Sequence, residues 1–348
     1  MRQTKRKNLL RCGLLVSFFF AMRPVLGLET LRVLAWPGYA DPDVVARFEQ
    51  RYQAKVEVTY VDSDEVLWSR LHSPQDQRFD VVAANTVEIA RYVAAGLLAP
   101  LDLAALPNTR RQSPRFQALA TIPGLVHDGR IYAVPYTYST MGLIYDRRQF
   151  RTPPQSMNVL WNPRYRHKVL AFNSAAHNFS FTALGLGIAH PFRLDREQMK
   201  HVTRRLVALR RNILTYYTLP EEATELFMEH KVALLFANYG TQQLAQLRQA
   251  GADVGYVLPR EGALAWLDCW AMTRTAPRPA LATAWINYML DPGVGALLSR
   301  RQGLANTQSH PSAQESSATI VWLAPVEDIA QRESLWRRIV SGDRPERF

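Results

Sequence analysis

The stretch 31–60, LRVLAWPGYADPDVVARFEQRYQAKVEVTY, decides the fold. Leu31 to Ala35 is a short apolar run that stops at Trp36-Pro37-Gly38, a turn signal. It predicts a buried strand leading into a loop. Asp41-Pro42-Asp43 then opens a helix, with Val44, Val45, Phe48 and Tyr52 at helical spacing. Lys55 to Tyr60 alternates polar and apolar residues and predicts a second strand. Just beyond, Val66 to Leu71 reads as a helix and Asp80 to Ala84 as a buried strand. The polar pair Asn85-Thr86 follows, then a helix to Ala95 closed by Gly96. Strands alternating with helices imply an α/β chain with a largely parallel, helix-covered sheet. In such sheets ligands sit in the loops at the carboxyl ends of strands. Here those loops are Trp36 to Tyr39 and Asn85-Thr86.

The pattern continues through the middle of the chain. Strands are predicted at Ile131 to Pro135, Thr140 to Tyr145, Lys168 to Phe172, Val232 to Phe236, Gly255 to Leu258 and Leu264 to Met272. Helices are predicted at about Phe179 to His190, Met199 to Arg210, Glu221 to Glu229, Thr241 to Ala250 and Leu281 to Leu290. The 348 residues suit two domains or one large α/β domain. Hydrophobic content of 47% and charged content of 21% exclude disorder and low complexity.

Residues 1–27 read as a secretory signal. A charged start, MRQTKRKNLLR, precedes the apolar run Cys12 to Met22, and a small-residue cut site follows at Val25-Leu26-Gly27. That run is too short for the roughly 20 residues of a spanning helix. Six basic residues and no acid lie in the first 28 positions, so the rest of the chain carries about +6 of the formal +12. Arginine pairs are scattered and form no stripe, which argues against a nucleic-acid partner. The exported chain keeps only Cys269, so no intramolecular disulfide forms and cysteine does not ligate a metal. A soluble periplasmic monomer is expected, with no cofactor and no metal.

One further segment suggests chemistry. On the alternating stretch Leu264-Trp266-Asp268-Trp270 the two indoles should share a face with Asp268. A carboxylate between indoles on a strand suits an ammonium partner. The plain alternative is a structural aspartate capping nearby backbone.

The whole chain after the leader resembles a known family, the bacterial periplasmic solute-binding proteins of two-lobed type 2 architecture, nearest to their spermidine/putrescine-binding branch. The resemblance is carried by the strand ending in Trp36 with Tyr39 three on, Phe79-Asp80-Val81-Val82 with Asn85, and Gly96 to Asp102 (GLLAPLD). Further carriers are Tyr132 to Tyr136 (YAVPY), Thr140 to Tyr145 (TMGLIY), Leu160 to Arg166 (LWNPRYR), Val257 to Gly262 (VLPREG), Trp266-Leu267-Asp268 and Ala284 to Pro292 (AWINYMLDP). It implies two lobes, each a mixed, mostly parallel sheet flanked by helices, with a ligand cleft between them. Lobe one takes 28–137 plus 266–312, and lobe two 138–265 plus 313–348. It also implies a small amine ligand and delivery to an ABC permease.

By the same resemblance Trp36 and Tyr39 form an aromatic wall, and Asn85 and Thr86 are polar contacts from lobe one. The plain alternative for Trp36 is a core tryptophan under a turn. Trp266 and Asp268 match the family's amine-binding Trp-x-Asp. Across the cleft the family segment is Asn173 to Asn178, where polyamine binders place acids. This chain has Ser174, His177 and Asn178 instead. A family tryptophan is replaced by Phe236, with Tyr239 nearby. One clear carboxylate therefore stands where a di- or trication wants two or three. The ligand is a polyamine, a smaller amine, or a zwitterion whose carboxylate meets Ser174, Asn178 and His177.

Other functions fit less well. No zinc-helix motif, nucleophile elbow or phosphate loop is present, so the protein is not expected to be an enzyme and has no catalytic residues. Tyr216-Tyr217 resembles the paired tyrosines of iron-binding relatives but lacks their supporting ligands. A sensor that presents its loaded form to a membrane receptor, by contrast, fits the sequence equally, because it uses the same two-lobed switch.

Overall fold

The computed structural model of the chain describes residues 28–73 and 79–343. The expected leader, 1–27, lies outside the described residues, as does the chain from 344 on. The first elements are β1 (Thr30–Ala35), α1 (Pro42–Tyr52), β2 (Lys55–Tyr60), α2 (Asp64–His72), β3 (Val81–Asn85) and α3 (Thr86–Ala94). β1 pairs in parallel with both β2 and β3, with Leu31 opposite Val56 and Val33 opposite Val81. Leu31, Val33 and Ala35 enter one core with Phe48 and Trp285, while Leu34 enters another with Val82, Ala84 and Tyr92. Burial on both faces is why LRVLA reads as a nearly unbroken apolar run.

The main elements beyond are β4 (Ala133–Asp146), β5 (Val169–Phe172), α4 (Ala175–Gly185), α5 (Arg196–Leu209), β6 (Ile213–Tyr217), α6 (Pro220–Glu229), β7 (Leu234–Ala237), α7 (Thr241–Gln249) and β8 (Val254–Val257). They are followed by β9 (Ala263–Thr273), α8 (Pro279–Met289), α9 (Pro292–Gln302), β10 (Ile320–Trp322) and α10 (Ile329–Val340). Two long strands, β4 and β9, run antiparallel through the centre of the molecule, from Ala133 opposite Ala271 to Met141 opposite Leu264. At one end β9 pairs with β3, which attaches the sheet of the first lobe. At the other, β4 pairs with β7 and β8, and β7 continues in parallel to β5 and β6.

The two strands expected at Ile131 to Pro135 and Thr140 to Tyr145 are thus one strand of fourteen buried residues. Thr137 and Ser139 look like a polar interruption, yet both are buried. Thr137 Oγ1 donates to the Ala305 carbonyl at 2.7 Å, which lets the strand pass through. The ladder slips once, between Asp268 and Cys269, whose partners are Thr137 and Pro135. Tyr136 is therefore the extra residue of a β-bulge. Pro135 cannot donate to a ladder, and its carbonyl accepts instead from Gln112 Nε2 at 2.5 Å.

Other departures are local. The helix expected from Phe179 starts at Ala175, because Ser174 caps it by accepting from the His177 N–H at 3.3 Å. It stops at Gly185, ahead of Gly187 with φ of +74°. β6 was not anticipated. Its Ile213 to Tyr217 run is only five residues long and follows a polar Arg211-Asn212.

The C-terminal helix is fixed by a single buried cation. Arg332 has no solvent exposure. It donates to both Glu327 oxygens at 2.8 and 2.7 Å, to Ser180 Oγ at 2.8 Å and to the Pro191 carbonyl at 3.1 Å. These bonds tie α10 to α4, whose Phe179 and Phe181 share a core with Trp336 and Ile339. Arg332→Ala leaves several buried acceptors without a donor and should cost about 3–5 kcal/mol. Urea unfolding checks this, and an unchanged midpoint would show that the clamp adds no stability.

Candidate functional site

The carboxyl ends of β1 and β3 meet β9 at the middle of the sheet. Asn85, the last residue of β3, lies directly opposite Asp268 in the ladder. After β1 the chain turns sharply, and the Tyr39 N–H donates to the Trp36 carbonyl at 3.2 Å. Gly38 sits in this turn at φ of +82°, with the Gln302 side chain packed where a Cβ would project. A side chain there would be strained by the positive φ and would have to displace the Gln302 amide. The turn aims Tyr39 inward, and its hydroxyl donates to Asp268 Oδ2 at 2.6 Å.

Asp268 is 7% exposed and Tyr39 6%. Among the described residues no cation lies within ion-pair distance of Asp268. Burial pushes its carboxyl up to about 7, against the pull of the Tyr39 hydrogen bond. The Tyr39 hydroxyl is driven well up, by burial first and then by the Asp268 charge, so it remains a donor. Asp268 caps no backbone group that the structure records, which disfavours a purely structural role.

A second carboxylate, not singled out from the sequence, stands beside it. Asp64 opens α2, behind the Ser63 cap. Asn85 Nδ2 donates to its two oxygens at 3.0 and 3.2 Å. The Oδ1 of the same amide caps α3, accepting from the Val87 and Glu88 N–H groups at 3.0 and 3.1 Å. Burial, then the charges of Glu88 and Asp268, push Asp64 up to about 7. In the sequence Asp64 looks like an ordinary first-turn acid favoured by the helix dipole. Only the register of Asn85 against Asp268 reveals its neighbour.

The facing wall comes from the crossing strand β9 and from the second lobe. Trp266, two residues along β9, donates from Nε1 to the Asn238 carbonyl at 2.9 Å. Asn238 is 5% exposed and its Oδ1 makes no hydrogen bond of full geometry. Tyr239 is half-buried and donates to the Thr218 carbonyl at 3.3 Å. Its hydroxyl is raised to about 12, by burial and then by Glu221, with Asp64 and Asp268 also contributing. His177 stacks on Phe172, centroids 5.6 Å apart, and Phe172 meets Tyr239 edge-on at 5.9 Å. Burial lowers His177 to about 4, so it is neutral at neutral pH, and its Nδ1 has no partner. Phe172 was read as the end of a strand, and only its ring contacts place it here.

The remaining expected residues lie close by but are engaged elsewhere. Trp36 is partly buried against both first-lobe cores, and its Nε1 has no partner. Thr86 is buried and donates to the Leu323 carbonyl at 3.2 Å. Ser174 caps α4. Asn178 spends its Nδ2 on the Phe172 and Ser174 carbonyls at 2.7 and 2.8 Å. Phe236 is a core residue stacked on Phe181 at 4.0 Å. The alternation on β9 holds, since Trp266 and Trp270 pack on the core that contains Tyr39 while Leu267 and Cys269 face the other way. Trp270, however, is wholly buried against Tyr136 and Trp285. Asp268 is therefore not boxed between two accessible indoles, because α8 seals that end of the strand.

Side-chain hydrogen bonds cross the seam, among them those from Trp266 to Asn238, from Thr86 to Leu323, and from Thr241 Oγ1 to the Gly303 carbonyl at 2.9 Å.

Comparison with known proteins places this geometry. The profile of the bacterial extracellular solute-binding protein family matches residues 43–320. The putrescine-binding periplasmic protein PotF of Escherichia coli K12 is 28% identical over 293 residues, spanning 80% of this chain and 78% of that one. The putrescine/agmatine-binding protein of Pseudomonas aeruginosa is 24% identical, spanning 88% and 90%. Among solved structures, the spermidine/putrescine ABC transporter substrate-binding protein PotD of Streptococcus pneumoniae superposes with a TM-score of 0.75 at 19% identity, covering 91% of this chain and all of that one.

The raised carboxyls make stability depend on pH. Asp268 holds its proton to about 7 in the fold, against 3.8 for an ordinary aspartate. Its contribution is therefore full below about pH 4 and is lost as pH rises through about 7. Between pH 5 and 8 the ligand-free protein should lose stability relative to Asp268→Asn, on the order of 2 kcal/mol at the upper end. Thermal melts of both proteins across that range check this, and parallel curves would rule Asp268 out as the source.

Proposed function

Because the chain belongs to the bacterial extracellular solute-binding protein family, we propose that it is the periplasmic solute-binding component of an ABC importer. Its cargo is a small amine of the polyamine class, held in the crevice between the lobes. The observation that carries this reading is Asp268, a carboxylate at the seam, buried, with a tyrosine hydroxyl as its hydrogen-bond partner and no ion-pair partner among the described residues. Burying an unpaired charge costs several kcal/mol. An incoming ammonium removes that cost, and an anion raises it.

The surroundings support the same choice. Trp266, Tyr239 and Phe172 offer ring faces for the cation and for the methylenes between charges, the former worth about 0.5–2 kcal/mol each and the latter about 0.8 kcal/mol per buried CH2. A zwitterion needs donors for its carboxylate on the second lobe. Ser174 and Asn178 are already committed to capping and His177 is neutral, so nothing cationic is offered there.

Lobe one is assigned to 28–137 and 266–312, and lobe two to 138–265 and 313–348. The packing of Trp285 with the first core and of Trp336 with the second agrees with this division. The crossing strands β4 and β9 act as the hinge, and closure buries the ligand. A cleaved leader at 1–27 delivers the protein to the periplasm, where the loaded monomer docks on the permease.

Calorimetry with putrescine and spermidine tests the assignment. Asp268→Ala should abolish measurable binding, a loss of about 2–5 kcal/mol, while far-ultraviolet dichroism stays native. Trp266→Ala should weaken it by about 1–3 kcal/mol through lost area and cation–π contact. Equal affinities for wild type and Asp268→Ala would sink the reading.

A further inference from the structure

Two carboxylates face the seam from the first lobe. Asn85 lies opposite Asp268 in the ladder and grips both oxygens of Asp64, so the two acids flank a single residue. Neither has an ion-pair partner among the described residues. The third acid nearby does not share this state, because Glu88 is paired with Arg91 at 3.4 Å, and the Arg91 guanidinium lies over Trp68 at 3.4 Å from its centroid. Glu65, beside Asp64 on α2, is exposed.

The opposite lobe contributes an independent sign. Asn238 is 5% exposed, and its Oδ1 makes no hydrogen bond of full geometry, lying beside the neutral His177 ring, which offers it no charge. It sits next to Tyr239, whose hydroxyl feels both Asp64 and Asp268. Three acceptors thus converge on one seam without a cationic donor, which costs stability until a donor arrives. One ammonium carries a single charge against the two carboxylates beside Asn85, whereas a diamine carries one for each.

We propose that Asp64 is a ligand-binding residue, the second ammonium anchor that makes the crevice select a dicationic amine over a monoamine. The proposal rests on the amine reading above. Asp268 with Tyr39 takes one ammonium, and Asp64, held by Asn85 and faced by Tyr239, takes the other. The distance between the anchors then sets the preferred chain length.

The test is calorimetry of wild type, Asp64→Asn and Asp268→Asn with 1,4-diaminobutane and with butylamine. Wild type should prefer the diamine. Asp64→Asn should weaken diaminobutane by about 30-fold or more and leave butylamine within about 3-fold, while Asp268→Asn weakens both. Asp64→Glu keeps the charge and reaches one methylene further, so it should shift preference from 1,4-diaminobutane toward 1,3-diaminopropane. Equal losses for both amines in Asp64→Asn, no loss in either, or an unchanged diamine ratio in Asp64→Glu would overturn the role of Asp64 alone. Absence of heat from wild type with any amine would overturn the amine reading as well, and melting curves confirm that each variant is folded.

Discussion

A carboxylate taken out of water without a cation is the constraint around which this molecule is organised. Asp268 stays in place because β9 is continuous through both lobes and cannot let one residue swing out. The Tyr39 hydroxyl satisfies one lone pair but supplies no charge. What remains is an electrostatic deficit fixed in a rigid frame. Such a deficit lowers the stability of the unliganded fold and raises the affinity for whatever cation relieves it. Preorganised binding sites share this trade, since the unfavourable term is set during folding and not again on association.

The frame itself follows from strand pairing. Each lobe has its own parallel sheet, and each sheet ends on one of the two crossing strands. Relative motion of the lobes therefore bends β4 and β9 without breaking either sheet. The bulge at Tyr136 lies on this crossing, one residue from the partner of Asp268. A bulge increases local twist and re-aims neighbouring side chains. Here it falls where Pro135 has no N–H to give and where the Asp268 carboxylate must turn toward Tyr39.

Sequence patterns carried the local elements well. β2 falls at Lys55–Tyr60 as expected because alternation is a local signal, and α1 begins at its Asp41-Pro42 start signal. Resemblance supplied a register for Tyr39, Trp266 and Asp268, and the fold brings Tyr39 onto Asp268 with Trp266 two residues along the same strand. The site was not legible where contact depends on distant pairing. Asp64 joins the site only because Asn85 of β3 meets Asp268, 183 positions later, across a ladder. Asn178 and Phe236 were the converse case. Their chemistry suits a cleft, but one caps the turn into α4 and the other fills the core behind it, and neither use leaves a mark on composition. The merging of two expected strands into β4 has a similar cause. Thr137 and Ser139 break an apolar run, yet the strand continues, and at Thr137 the buried hydroxyl is satisfied by the Ala305 carbonyl.

The net positive charge of the chain does not conflict with a cationic cargo. Many arginines are paired at short range, as where Arg301 reaches Asp41 and Asp43 at 2.7 Å, Arg91 reaches Glu88 and Arg148 reaches Asp146 at 3.0 Å, so the net excess is a diffuse surface charge. Exposed charges are screened beyond about 8 Å at physiological ionic strength, whereas Asp268 is buried and Asp64 partly so, where screening is weaker. The far field therefore slows encounter slightly, and the near field decides occupancy. An amine that reaches the seam leaves a weakly repulsive surface for a concentrated acidic spot walled by aromatic rings, and over that last distance the local carboxylates outweigh the summed surface.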